Sequence, residues 1–139
     1  MREGETFALP RDGDEAVARA YFASPEKTNF LAVVDGRVLG ASYIRANNLG
    51  GGGHIANCGY VTAPEARGRG IARALCAHSI EECRRRGFRA IQFNFVVSTN
   101  GPAVHLWESF GFETLTRLPG AFHHPRLGYV DALLMFKTL

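Results

Sequence analysis

The sequence predicts an α/β or α+β fold with a mixed sheet and helices on both sides. In residues 29–46, NFLAVVDGRVLGASYIRA, two apolar β-branched runs flank Asp35-Gly36, a dipeptide typical of tight hairpin turns. Residues 70–86 change to a helical period. Residues 88–97, FRAIQFNFVV, are almost continuously apolar, as expected of a central strand covered on both faces.

The remaining elements follow in order. Residues 12–23 predict a short helix capped by Asp12 or Asp14. After a glycine-rich loop, a third strand at 54–63 ends at Pro64, which has no N–H to donate. The last predicted elements are a helix at 100–110 capped by Asn100, the strand FETLTRL, the loop PGAFHHPRLG and the strand YVDALLMFKTL. The predicted order is α-β-β-β-α-β-α-β-β, in a single domain over residues 1–139.

Composition narrows the class of protein. Of 139 residues, 46% are hydrophobic and 21% charged, which is ordinary for a globular chain. No apolar run approaches the ~20 residues that span a bilayer, and the opening MREGETFALP lacks the apolar stretch of a secretory signal. We therefore predict a cytoplasmic protein without a membrane partner.

The cysteine count and the net charge argue against a disulfide-bonded, metal-binding or nucleic-acid-binding protein. Three cysteines with no CxxC pair predict neither disulfides nor a bound metal. The net charge of +3 is too small to predict a nucleic-acid partner. We interpret RRRGFR (84–89) as a helix C-terminus capped by Gly87, where cations complement the helix dipole.

The junction VTAPEARGRGIARALC (61–76) has the features of a phosphate site. The first turn of a helix offers unpaired N–H donors and a partial positive charge. Gly68 and Gly70 remove Cβ atoms that would hold an anion away, and Arg67 and Arg69 add charge-assisted donors. Neither a Walker loop nor a GxGxxG dinucleotide motif fits here. The residues expected to hold a pyrophosphate are Arg67, Gly68, Arg69, Gly70, Ile71 and Ala72.

Two motifs in this order carry a resemblance to a known family. Residues 62–72, TAPEARGRGIA, resemble the acetyl-CoA pyrophosphate motif (Arg/Gln-x-x-Gly-x-Gly/Ala) of the GCN5-related N-acetyltransferases, the GNAT superfamily. Residues 100–112, NGPAVHLWESFGF, are similar to the family's Asn-x-x-Ala-x-x-Leu-Tyr-x-x-x-Gly-Phe segment. The resemblance covers residues 28–139 and implies a mostly antiparallel sheet, splayed between its middle strands to admit the pantetheine arm of acetyl-CoA.

The resemblance also assigns roles around the cofactor. Backbone groups of Tyr60, Val61 and Thr62 are expected to pair with the pantetheine arm, and amides around Val61 to stabilise the oxyanion. Asn100 is expected to contact the cofactor or hold the splayed strand end, in addition to capping its helix. In this family a neutral amine attacks the thioester directly.

The catalytic pattern departs from the family. Trp107 occupies the position of the usual tyrosine acid, and the strand before Asn100 lacks the usual glutamate base. HIANCGYVTAP, QFNFVVSTN and LPGAF instead resemble a subgroup that includes fungal N-acetyltransferases of proline analogues such as azetidine-2-carboxylate. There, asparagines matching Asn57 and Asn94 bind substrate, and an amide can orient the amine lone pair. Alternatively, each is a buried polar residue satisfied by neighbouring backbone.

Three further residues are candidates for roles at the acceptor site. Tyr129 can replace the missing acid, His124 lies in the predicted loop that can cover the acceptor, and Trp107 is a candidate substrate contact. We interpret Tyr43 as an ordinary strand residue. The family's N-terminal strand is expected to be missing, rebuilt from residues 5–9, or supplied by a partner.

The sequence therefore predicts an acetyl-CoA-dependent N-acetyltransferase acting on a small-molecule amine, an amino acid or a proline-like analogue. Two alternatives stay open: acetylation of a protein or peptide, and a non-catalytic acyl-CoA-binding sensor. Homodimers are common in the family, so a homodimer is an expectation by analogy.

Overall fold

The computed structural model describes residues 4–10 and 12–139, and within them the predicted order of elements is confirmed. The elements are α1 (Glu15–Phe22), β1 (Thr28–Val34), β2 (Arg37–Ala46), β3 (Ile55–Thr62), α2 (Ile71–Arg85), β4 (Ala90–Val97), α3 (Gly101–Ser109), β5 (Glu113–His124) and β6 (Gly128–Thr138). Single-turn 3-10 helices at Gly50–Gly52 and Pro64–Ala66 lie in the loops on either side of β3.

The six strands belong to one sheet in the order β1-β2-β3-β4-β6-β5. β1–β2, β2–β3 and β5–β6 are antiparallel, whereas β3 and β4 are parallel, pairing Ile55 with Ala90 and Ala56 with Ile91. The predicted mixed α/β fold is confirmed. The splay of the middle strands and the placement of helices on both faces stay predictions.

The described residues group into two compact units. The hairpin unit comprises Phe22–Gln92 with Thr138–Leu139, and the C-terminal unit comprises Phe93–Lys137 with the described residues as far as Tyr21. The prediction of a single domain over residues 1–139 stays a prediction. No described helix is long and apolar enough to cross a membrane.

The hairpin unit begins with the predicted β1–β2 turn. Asp35 and Gly36 both have positive φ, 50° and 75°, which is the conformation that fits the twist of two antiparallel strands. Gly40 on β2 then permits close packing of a helix, because a Cβ there would lie 2.9 Å from Ile71 Cγ2 and 3.0 Å from Leu75 Cδ1. The first two turns of α2 are thereby held directly on the sheet.

One face of α2 is buried, as the helical period of this segment predicts. Ile71 at the start of the helix is buried, whereas Ala72 is partly exposed. The buried residues are Ile71, Leu75, Cys76, Ser79, Ile80 and Cys83. Gly87 has a φ of 81° just beyond the helix, as its predicted capping role requires.

All three cysteines, Cys58, Cys76 and Cys83, are free and buried. The sulfurs of Cys58 and Cys83 are 3.9 Å apart, far beyond the about 2.05 Å of a disulfide. The hydrogen bond with Cys83, and next burial, raise the pKa of the Cys58 thiol well above its usual range. In this structure the three cysteines are therefore thiols.

The C-terminal unit packs around aromatic rings. Phe93 on β4 stacks with Phe112 at a centroid distance of 4.3 Å and contacts Trp107 of α3 at 5.2 Å. Trp107 and Phe112 are both buried. The second family-like motif therefore contributes two of its aromatic residues to the packing around β4 in this unit.

The predicted loop over residues 119–128 is wrong. Residues 119–124 continue β5, and the turn to β6 is confined to residues 125–127. A register shift between Leu118 and Phe122 accommodates Pro119 and Gly120, whose φ is 57°. The Gly120 amide donates to Asp131 Oδ1 at 2.9 Å, so a side chain replaces part of the strand pairing. β5 is an edge strand, where proline is tolerated.

Three further expectations are resolved. Asp14, not Asp12, caps α1, accepting from the Val17 amide at 3.1 Å. Asn100 stands at the N-cap position of α3, but the prediction that its side chain caps the helix is wrong, because that side chain makes no cap hydrogen bond. Residues 5–9 form bends without a strand, so the family's first strand is not rebuilt there.

Candidate functional site

The loop between β3 and α2 has two residues in the left-handed conformation. Gly68 has a φ of 71° and Gly70 a φ of 74°. A Cβ added to either would meet nothing within 4 Å, so backbone conformation rather than crowding requires glycine. The same open space leaves the outer surface of the loop accessible to a ligand.

The start of α2 is not capped by the protein. Gly70 occupies the N-cap position without a side-chain hydrogen bond, and the first intrahelical bond runs from the Ala74 amide to the Gly70 carbonyl. The amides of Ile71 and Ala72 precede that bond and are unused donors of the helix. An anion is the group that such a helix start attracts.

Two exposed arginines border this helix start. Within the described ranges, 4–10 and 12–139, Arg67 and Arg69 make no ion pair, whereas Arg37 on the neighbouring hairpin pairs with Glu65 at 3.3 Å. Their guanidinium groups therefore remain available for a bidentate contact with phosphate. Together with the uncapped amides, the loop fits the pyrophosphate of acetyl-CoA.

The two edges of β3 face different partners. The Ala63 amide donates to the Leu39 carbonyl at 2.9 Å, so odd-numbered residues turn their backbone groups towards β2. The His54 carbonyl accepts from the Arg89 amide at 2.9 Å, so even-numbered residues turn towards the other edge. Val61 consequently directs its amide at β2, while Tyr60 and Thr62 direct theirs away from it.

Asn57 is held by two hydrogen bonds within the hairpin unit. It is 6% exposed; Tyr43 Oη donates to its Oδ1 at 3.3 Å, and its Nδ2 donates to the Gln92 carbonyl at 2.9 Å. The alternative of a buried polar residue satisfied by its neighbours thus describes these surroundings well. The two bonds also fix which way the amide points.

A glycine allows this arrangement. Gly59 pairs with Tyr43 across β2 and β3, and a Cβ on Gly59 would lie 2.3 Å from Tyr43 Cε1. The tyrosine ring therefore lies across β3 and reaches Asn57. Treating Tyr43 as an ordinary strand residue missed this contact, and the β2–β3 register is the signal that would have identified it.

Two cations lie beside the same pair. Lys27 Nζ is 4.6 Å from the centroid of the Tyr43 ring, and Arg45 pairs with Asn57 in the β2–β3 register. Burial, and next the charge of Arg45, lower the pKa of Lys27. Neither cation was singled out from the sequence, because the two are 18 positions apart and only the folded chain brings both beside the Tyr43–Asn57 pair.

The C-terminal unit holds the other predicted site residues. Asn94 on β4 is exposed, so the buried-polar alternative is wrong for Asn94. Trp107 is buried against Phe93, and Asn100 is partly buried with its amide unused in capping.

Tyr129 and His124 lie at the β5–β6 turn of that unit. Tyr129 is 78% exposed and stacks on His123 at 4.8 Å. His124 is buried, and its Nδ1 accepts from the amides of Arg126 and Leu127 at 3.2 Å each. As an acceptor, Nδ1 carries no proton, and the imidazole holds the turn together.

Among the residues that the structure describes, no three His, Cys, Asp or Glu side chains are grouped to hold a metal ion.

A six-stranded mixed sheet whose third strand leads through two left-handed glycines into a helix without a side-chain cap is the arrangement that the sequence analysis expects of the GNAT fold. The chain belongs to the acetyltransferase (GNAT) family, whose profile matches residues 2–112. The family's acetyl donor is acetyl-CoA, and two structures with this fold, 21% and 22% identical to the chain, contain it.

Three similar proteins carry the name of N-acetyltransferases, in agreement with this family. The N-acetyltransferase aca1 of Schizosaccharomyces pombe is 37% identical over 103 residues, which are 70% of this chain and 47% of the relative. The chain thus spans about half the length of that relative. The similarity to this fungal N-acetyltransferase fits the fungal subgroup predicted from the sequence. The L-amino acid N-acetyltransferase AaaT of Escherichia coli is 27% identical over 135 residues, 96% of this chain and 82% of the relative. A GCN5-related N-acetyltransferase from Kribbella flavida superposes with a TM-score of 0.92 at 43% identity, covering 99% and 84% of the two chains.

Proposed function

We propose that this chain transfers an acetyl group from acetyl-CoA directly to the amine of a small molecule, an amino acid or a proline-like analogue. The observation that carries the proposal is the uncapped start of α2 behind Gly68 and Gly70. The E. coli relative named an L-amino acid N-acetyltransferase supports the choice of acceptor.

The donor is held mainly by backbone. Amides of Gly68, Gly70, Ile71 and Ala72 donate to the pyrophosphate, and Arg67 and Arg69 add charge. Backbone groups of Tyr60 and Thr62 line the pantetheine arm, whereas those of Val61 are directed at β2. Because the register turns the Tyr60 and Thr62 amides away from β2, these replace Val61 as the proposed oxyanion donors.

When bound, acetyl-CoA would supply a thioester to which the amine nitrogen adds before the C–S bond breaks; the amine would lose one proton to solvent, and the departing CoA thiolate would gain one to leave as the thiol. Asn57 orients the amine, because the Oδ1 that accepts from Tyr43 has a second lone pair for a substrate N–H.

The roles in the C-terminal unit belong to the same proposal. Asn94 binds the acceptor, Asn100 contacts the donor with the amide that α3 leaves unused, and Tyr129 is the proposed acid. Trp107 and His124 are proposed acceptor contacts, although both are buried and His124 already holds the β5–β6 turn. A cytoplasmic location and a homodimer stay predictions.

Thiol release from acetyl-CoA across a panel of amines tests the proposal. The panel contains α-amino acids, cyclic secondary amines including L-proline and azetidine-2-carboxylate, simple alkylamines and short peptides. We expect turnover of a free amino acid above every peptide. Faster turnover of peptides would assign the chain to protein acetylation, and tight CoA binding without turnover of any amine would make it a sensor.

A further inference from the structure

The face of the hairpin unit that carries Asn57 also carries a pair of cations. Residues directly opposite each other in an antiparallel pair share a face, so Arg45 lies beside Asn57. Tyr43, two residues before Arg45, is on the same face, and its ring supports Lys27 Nζ at 4.6 Å. Lys27 and Arg45 therefore flank the hydrogen-bonded Tyr43–Asn57 pair.

The neighbouring acidic residue Glu26 is close enough for its charge to act on Lys27, but that effect is smaller than those of burial and of Arg45. Glu26 accepts from Ser24 Oγ at 2.8 Å, and no ion pair joins it to Arg45. Within the described part of the chain, Arg45 makes neither a side-chain hydrogen bond nor an ion pair, although it is partly buried. Burial first, and then the charge of Arg45, lower the pKa of the Lys27 ammonium group. Two mutually repelling, partly buried cations favour an external anion between them.

We propose that Lys27 and Arg45 form a carboxylate subsite beside Asn57, so that the acceptor is an α-amino acid rather than a simple amine. This inference rests on the proposed function and names the group that selects its substrate. The arginine fork matches a carboxylate through two parallel N–H donors, and the lysine adds a point charge.

The test compares paired substrates that differ in that carboxylate alone. L-proline with L-prolinamide and L-leucine with L-leucinamide are measured by steady-state thiol release with the wild-type chain. We expect kcat/KM for the acid to exceed that for the amide by about 10-fold or more, the range of hydrogen bonds to charged groups. Equal rates for acid and amide would overturn the subsite without affecting the proposed acetyl transfer.

Two substitutions test whether Lys27 and Arg45 cause the preference for the acid over the amide. Arg45→Gln and Lys27→Gln are each expected to raise KM for the amino acid about 10-fold while leaving kcat/KM for the amide within about 2-fold. Arg45→Lys retains the charge and is expected to recover part of the loss. Arg37→Gln, an exposed arginine of the same hairpin paired with Glu65, is the matched control and should change neither substrate.

The outcomes distinguish failure of the carboxylate subsite from failure of the proposed acetyl transfer. Loss of activity that is equal for acid and amide, or equal in Arg37→Gln, would overturn the subsite. Melting temperatures measured alongside identify an unfolded variant, and the wild-type comparison of acid and amide then decides the question. Failure of the wild-type chain to acetylate any amine would overturn the proposed function together with this inference.

Discussion

The proposed donor site, which follows β3, and the proposed acceptor site, which lies on β3, are built in different ways. At the donor end, residues 67–72, the proposed binding groups are backbone amides and exposed arginines, and local conformation at Gly68 and Gly70 sets the positions of these amides. At the acceptor end, the groups are side chains, and Asn57 is positioned by Tyr43 from the neighbouring strand. A backbone site accepts one fixed chemical group, whereas a side-chain site can change its substrate by substitution.

Gly59 and Gly70 are required for different physical reasons, close packing at Gly59 and a left-handed backbone at Gly70. Gly59→Ala is expected to have the largest effect, because its Cβ would lie 2.3 Å from the buried Tyr43 ring. We expect a loss of about 3 kcal/mol in the free energy of unfolding, measured by denaturant titration. Gly51→Ala, with nothing within 4 Å, is the control and should change stability by less than about 1 kcal/mol. Equal losses in both variants would contradict close packing at Gly59.

Gly70→Ala tests the donor end. The left-handed φ of 74° costs a non-glycine residue about 1–2 kcal/mol, and relaxation of that strain moves the amides that hold the pyrophosphate. We expect CoA affinity, measured by isothermal titration, to fall about 10-fold. Gly101→Ala, at the first residue of α3 with ordinary φ, should leave affinity unchanged. Unchanged affinity in Gly70→Ala would remove this helix start from the donor site.

Tyr43→Phe tests the acceptor end with a smaller structural change. It keeps the ring that packs over Gly59 and removes the hydroxyl that donates to Asn57. We expect kcat/KM for the acceptor to fall about 5-fold, corresponding to about 1 kcal/mol for one hydrogen bond, with KM for acetyl-CoA unchanged. A change confined to acetyl-CoA would contradict the assignment of Asn57 to the acceptor.

The smallest expected effect lies at the C-terminal end of α2, outside both sites. Hydrogen bonds from Arg85 and Arg86 lower the pKa of Glu82 to about 2. A depressed carboxyl pKa stabilises the fold above the unfolded-state value of 4.5, and this contribution disappears as pH falls towards 2. Glu82→Gln should therefore be slightly less stable than wild type at pH 7 and equal to it near pH 2. A difference that is constant with pH would contradict the ion pairs.

The same contrast explains what the sequence could predict. Asp35-Gly36, Gly68 and Gly70 are local conformational requirements, so a short stretch of sequence identifies them. The continuation of β5 through Pro119 was missed because its irregularity depends on Asp131, a residue of the following strand. Tyr43, Lys27 and Arg45 were missed because their proximity to Asn57 follows from strand register and from contacts between residues distant in sequence.

Crossed kinetics of Gly70→Ala and Asn57→Ala test the central claim most directly, namely that a backbone donor site follows β3 and a side-chain acceptor site lies on β3. KM for acetyl-CoA and KM for the acceptor are measured for both variants with the best amino acid of the panel. We predict that Gly70→Ala raises KM for acetyl-CoA alone and Asn57→Ala raises KM for the acceptor alone, each about 10-fold. Full kcat/KM in Asn57→Ala, or the same pattern in both variants, would contradict the account.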